Sequence, residues 1–264
     1  MYTKILCIFT AILILQPTLV YGFDWSINEF HYQYGNLDTP SFAGGGSANT
    51  HIITFQHASG WAFGDNFMFI DYLRDNNSDS FNNNDWYGEL YANLSVAKTI
   101  KKDIGYGLFR DAGILFGLNI GHDARVYKYL PGIRLSWQIP GFSFLNTDLT
   151  AYIDDSAGVD DGGAPAESNS FMIDINGAYP FSLGRHDFSI EGHIEYIGSR
   201  TNELGFDVSD WIFSQIQFRY DLGKFLFAWN NHLFAGVEWQ LWLNKLGDED
   251  TDENEIQALV VWRF

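Results

Sequence analysis

Several stretches of this chain set rings and polar or ionisable groups on a spacing of two: Phe67, Phe69 and Asp71; Tyr87, Glu89 and Tyr91; Phe213, Gln217 and Arg219. Arg134, Asp148, Tyr152, Glu238 and Trp242 extend the set. A spacing of two is the repeat of a β-strand, so each group shares one strand face. The chemistry such faces offer is binding. Stacking on an aromatic ring contributes about 1–3 kcal/mol per base and a net hydrogen bond about 1 kcal/mol, so a few contacts give roughly millimolar to micromolar affinity. Flat rings beside donors and acceptors suit a planar heterocycle, whereas a general diffusion pore needs a wet, mainly charged constriction. The bland alternative is that the rings fill space and that Arg134 or Arg219 pairs with Asp or Glu.

Twelve strand candidates would carry these faces, at approximately 29–35, 50–58, 65–74, 86–96, 110–120, 126–139, 144–154, 169–179, 186–197, 210–221, 229–243 and 255–264. Each has about the ten residues of a tilted membrane strand. Phe188, Ile190, Gly192, Ile194 and Tyr196 alternate with Ser189, Glu191, His193 and Glu195, and the last strand sets Ile256, Ala258, Val260, Trp262 and Phe264 on one side. A terminal aromatic on the apolar face of a last strand resembles bacterial outer-membrane barrels, where that strand pairs with the first and abolishes the edges. Soluble barrels alternate too, so the connections decide. With a periplasmic N-terminus, Asp75 to Asp85, Asp155 to Ser168, Gly198 to Ser209 and Asn244 to Asn254 are long, acidic and extracellular. Pro140-Gly141, Phe181 to Arg185 and Leu222-Gly223-Lys224 are short and periplasmic, and Ala97 to Phe109 is the exception, with room for a brief amphipathic turn. The fold class is therefore all-β, a transmembrane antiparallel up-and-down barrel.

A charge facing lipid at mid-depth costs up to about 2–4 kcal/mol, so Asp71 points inward and parity takes Phe67 and Phe69 with it. The same rule turns Tyr87, Glu89, Tyr91, Asn93, Lys128, Arg134, Asp148, Tyr152, Phe213, Gln217, Arg219, Phe234, Glu238 and Trp242 inward.

Met1 to Gly22, with Lys4 ahead of an apolar run from Ile5 to Val20, reads as a signal peptide cleaved before Phe23. The single cysteine, Cys7, lies within it, so the mature 23–264 barrel has no thiol for a disulfide or a cysteine metal site. A net charge of −18 and no basic stripe argue against nucleic-acid polymers.

His57-Ala58-Ser59-Gly60-Trp61-Ala62-Phe63-Gly64-Asp65-Asn66-Phe67-Met68-Phe69-Ile70-Asp71 resembles the nucleoside-specific outer-membrane channels of the Tsx type, in their nucleoside-binding outer-membrane-protein branch. His57, Ser59, Gly60, Trp61, Gly64 and Asp65 carry the motif, and Tyr196-Ile197-Gly198 and the terminal strand extend the likeness. The resemblance implies a monomeric twelve-stranded barrel that passes nucleosides and deoxynucleosides down their gradient, some members also serving as phage or colicin receptors. Nucleosides, outer-membrane lipid or lipopolysaccharide, and the barrel-assembly machinery acting through the C-terminal strand are the expected partners. A general small-solute porin and a surface receptor are the alternatives.

Two motifs suggest other chemistry. His57-x-Ser59-Gly60 superficially resembles the His-x-Ser-Asn-Gly of outer-membrane phospholipases, but Gly60 stands where the orienting Asn would be and the site abuts an inner turn, so a rim hydrogen-bonding role is expected and no enzyme. Asp248-x-Asp250-x-Asp252 evokes a calcium loop, yet Glu253 replaces its glycine and Leu259 its terminal Glu. No metal centre and no cofactor are expected.

Overall fold

The computed structural model describes residues 22–77 and 81–264. The signal-peptide reading lies almost wholly outside the described residues. Alternation dictates the rest: twelve strands close into one antiparallel barrel. They are β1 (Trp25–Asp38), β2 (Ser47–Trp61), β3 (Gly64–Arg74), β4 (Asp85–Ser95), β5 (Phe109–Gly121), β6 (Val126–Trp137), β7 (Phe144–Asp154), β8 (Ser170–Leu183), β9 (His186–Ile197), β12 (Trp211–Asp221), β13 (Leu233–Leu243) and β14 (Glu253–Arg263). A small separate hairpin, β10 (Arg200–Thr201) with β11 (Asp207–Val208), folds within the connection after β9. β14 pairs with β1, placing Arg263 opposite Glu29 and Trp262 opposite Phe30, so the sheet has no free edge.

The exterior is apolar. Phe30, Tyr32, Ile53, Ile70, Leu90, Ile114, Phe116, Ile133, Ile194, Val237, Val260, Trp262 and Phe264 are all exposed large hydrophobics, as a lipid-facing wall requires. On β14 the exposed face is Ile256, Ala258, Val260 and Trp262, the alternation read from sequence, while Gln257, Leu259 and Val261 are buried inside. Among the described residues no helix is long and apolar enough to cross a membrane.

Two connections depart from expectation, and a third takes the shape expected of it. Residues 222–232 do not form a short turn, because Asp221 caps a helix, α2 (Leu222–Phe227), by accepting from the Lys224 backbone N–H, and β13 starts at 233 instead of 229. The expected amphipathic turn after β4 is a helix, α1 (Val96–Ile100), capped in the same way by Ser95. Between β5 and β6, on the side expected to carry long loops, only residues 122–125 intervene. The acidic stretch around Asp248 is tied to the β1–β2 connection: Asp248 accepts from Ser41 N (2.6 Å), Ser41 Oγ (2.9 Å) and Thr251 Oγ1 (2.7 Å). Burial alone would raise the Asp248 pKa, but these hydrogen bonds outweigh it and hold the carboxyl below the usual range.

Two glycines let the wall pack inward. A Cβ at Gly117 would fall 2.6 Å from the Tyr91 ring, and one at Gly35 2.6 Å from the Gln257 side chain. Both rows of side chains lie flat across the neighbouring strand because nothing stands in their way.

Candidate functional site

The residues assigned to the lumen by parity face the interior and fall mainly into two layers, with Phe234 apart in a small cluster with Leu259 and Val261. A cavity of about 880 Å³ opens at the rim that carries both termini. Phe67, Phe69, Asp71, Glu89, Tyr91, Arg134, Asp148, Gln217, Arg219 and Glu238 line it. Toward the opposite rim the interior is packed: Tyr91, Leu115, Leu130, Tyr152, Met172, Ile197, Val208 and Trp211 form a core, with Phe67, Phe213 and Trp242 against it. Tyr152, Phe213 and Trp242 thus belong to a stopper, not to the open cavity. Phe213 and Trp242 are 4.2 Å apart between ring centroids.

The stopper is fastened by charge. Arg200, on β10, donates from Nε to Glu167 Oε2 (2.7 Å), and its guanidinium lies 4.1 Å from the Trp211 ring centroid and 5.3 Å from that of Tyr152. Lys128 reaches the same Glu167 (2.6 Å) and Asp154 (2.8 Å) from the wall. Beside it Lys245 bridges Glu253 and the Asp38 carbonyl, each at 2.6 Å. All three cations are buried.

At the open end the ions are also paired. Arg134 forks onto Asp148 (2.7 and 2.6 Å) and reaches Asp65 at 2.9 Å. Glu29 gathers Arg263 (2.6 Å), Arg219 (3.2 Å) and His31 (2.7 Å). Between these clusters the balance tips to acid. Among the described residues Asp71, Glu89, Glu195 and Glu238 have no Lys or Arg in a salt bridge; neutral donors serve three of them instead. Asp71 accepts from Thr54 (2.6 Å), Glu89 from Tyr87 (2.5 Å), and Glu238 from Gln33, Gln215, Gln217 and Gln257 at 2.6–3.3 Å. A carboxylate in such a setting keeps acceptor capacity for a solute's N–H and O–H groups. Across β8 and β9, Asp174 and Glu195 face each other in register, and with His193 they offer ligand atoms all within 4.8 Å, a set that could hold a divalent cation. Asp85, His122 and Asp123 form a similar group near the closed rim.

Asp174, His193, Glu195 and Glu29 were missed as site residues although strand parity places them inside; Arg200 and Glu167 lie beyond the barrel strands, where no periodicity points to them. The motif residues divide. Asp65 is an anchor for Arg134, while a Cβ at Gly60 would fall 2.1 Å from the Trp25 ring nitrogen and one at Gly64 1.8 Å from the Asn93 carbonyl oxygen, so neither position has room for a side chain. Trp61 and Gly64 lend their carbonyls to Lys98 Nζ at 3.0 and 2.8 Å. His57 and Ser59, alternating with the cavity-lining Gln56 and Ala58, are on the outer face, where His57 makes the expected rim hydrogen bonds.

No protein-family model and no curated protein matches the chain. Solved structures do. A KdgM porin is 10% identical, with 89% of this chain and 99% of that chain covered and a TM-score of 0.48. An outer membrane channel from Pseudomonas putida F1 is 10% identical over 95% and 100% of the two chains, with a TM-score of 0.49. The outer membrane phospholipase of Salmonella typhi is 9% identical over 89% and 90%, with a TM-score of 0.47. The chain is a closed twelve-stranded antiparallel barrel with an apolar exterior; likeness at this level says nothing of substrate.

Proposed function

We propose that this barrel is a passive outer-membrane channel selective for nucleosides, with its open cavity facing the periplasm. The observation that supports this reading is the joint wall of Phe67, Phe69 and Tyr91 with Asp71, Glu89 and Glu238 around one cavity. Rings take the base by stacking and carboxylates accept from base N–H and ribose O–H groups. Phosphate is disfavoured by the same carboxylates, so nucleosides pass and nucleotides do not. Planar-bilayer recording during openings, with adenosine or thymidine against sugars of the same size, is the test. Nucleosides should block ion current measurably where sugars do not; equal behaviour would leave a general small-solute pore.

Phe69→Ala should weaken nucleoside block by about 1–3 kcal/mol, roughly 5- to 150-fold in apparent Kd. Asp71→Ala should fold and also weaken block. Unchanged block in both variants would place the nucleoside elsewhere.

The acid excess has a second consequence. Open channels should prefer cations, as seen in reversal potentials under a KCl gradient. The preference should weaken yet persist as salt rises, because charges inside a barrel are screened less than those on loops. Anion preference at low salt would mean that Arg134, Arg219 and the rim lysines Lys98, Lys101 and Lys102 dominate.

A further inference from the structure

On the outer wall, at the rim that carries the termini, β1 and β2 bring together Asn28, His57 and Ser59, which take no part in the cavity, and β3 adds Asn66, which also borders it. In the β1–β2 register Asn28 stands opposite His57, and in the β2–β3 register Ser59 stands opposite Asn66. Asn28 Oδ1 lies 2.8 Å from His57 Nδ1, and Ser59 Oγ lies 2.9 Å from His57 Nε2. With the Nδ1 proton given to Asn28, His57 Nε2 is left as the acceptor for the Ser59 hydroxyl, the arrangement of a nucleophile, a base and an orienting group. Asn66 Nδ2 donates to Ser59 Oγ at 2.5 Å, so this amide fixes the hydroxyl oxygen in place and has to release it before the oxygen can attack. The orienting Asn absent from position 60 is thus supplied by the adjacent strand.

We propose that Asn28, His57 and Ser59 form an esterase site for acyl esters of membrane glycerophospholipids. The substrate class follows from location. The site faces lipid, and it lies beside Trp61 and Phe63 at the β2–β3 turn, the level of an interfacial aromatic girdle where glycerol esters meet water. Ser59 Oγ attacks the ester carbonyl and passes its proton to His57 Nε2. The C–O bond to glycerol then breaks, and His57 returns the proton to the departing lysophospholipid. Water, deprotonated by His57, attacks the acyl-serine, releasing fatty acid and restoring Ser59. Ser59 is 0% exposed, so the ester gains access only when the side chains over it part, and turnover is slow. Phe23, whose ring lies 5.7 Å from that of His57, stands at this cover.

The test uses the folded barrel in vesicles of phosphatidylethanolamine and phosphatidylglycerol carrying a fluorescent acyl chain. Fatty-acid release should exceed that from protein-free vesicles at least tenfold, and fall to background in Ser59→Ala and His57→Ala. Asn28→Ala should slow it, with partial rescue by Asn28→Asp. As a readout independent of variant folding, a fluorophosphonate should leave an adduct on wild-type Ser59, read by mass spectrometry. Failure of the heat-modifiable wild-type barrel to give either release or adduct overturns the proposal. So does release that survives Ser59→Ala. Channel recordings stand apart from both outcomes.

Discussion

Replacing Arg200 with Ala should turn a mostly shut barrel into one that conducts. The guanidinium contributes a charge-assisted hydrogen bond to Glu167, of about 1.5–3 kcal/mol, and a desolvated stack on Trp211, of about 2 kcal/mol. Losing even about 3 kcal/mol of docking shifts the balance between a seated and a lifted β10–β11 hairpin, the part of the stopper that is not barrel wall, by roughly a hundredfold, at 1.4 kcal/mol per decade. Lys128 keeps its contact with Asp154, so the wall itself stays intact. Open probability in planar bilayers should rise steeply, with urea stability little changed. If conductance is unchanged in a folded Arg200→Ala barrel, the stopper is held by its apolar core and not by this cation.

Arg134→Met should have the larger effect on stability. Arg134 is buried and binds two carboxylates, and removing it strands Asp148, which is 2% exposed, without a counter-charge. Breaking a buried pair from one side costs about 3–5 kcal/mol. Urea unfolding of the lipid-reconstituted barrel should show that loss. Adding Asp148→Asn should restore part of it, since the double variant leaves no lone charge; a single variant within 1 kcal/mol of wild type would mean that water already solvates Asp148.

The barrel and its faces were legible because one rule governs most of the chain: a residue faces lipid or lumen according to parity, and each interior charge fixes the register of its strand. Asp71 oriented β3 and thereby Phe67 and Phe69, and Glu89 did the same for β4. What parity cannot convey is depth. Tyr152 and Phe69 share an interior face pattern, yet one is packed in the stopper and the other borders open space. Nor does alternation describe connections, so α2 and the β10–β11 hairpin with Arg200 went unseen. The Ser59 cluster escapes a local motif, because its third member, Asn28, comes from another strand. Strand pairing, not spacing in the chain, assembles it.

The ring of strands closes between β1 and β14, and Arg263 reaches Glu29 across a sequence separation of 234. Bringing such distant segments together carries a loop-closure entropy cost of roughly 5 kcal/mol by logarithmic scaling, and nothing offsets it until the whole chain is present. The seam is a strongly non-local contact, of the kind that slows folding. A chain stopped before β14 does not yield a smaller barrel; it leaves the backbone donors of β1 and β13 unpaired in a solvent that cannot satisfy them.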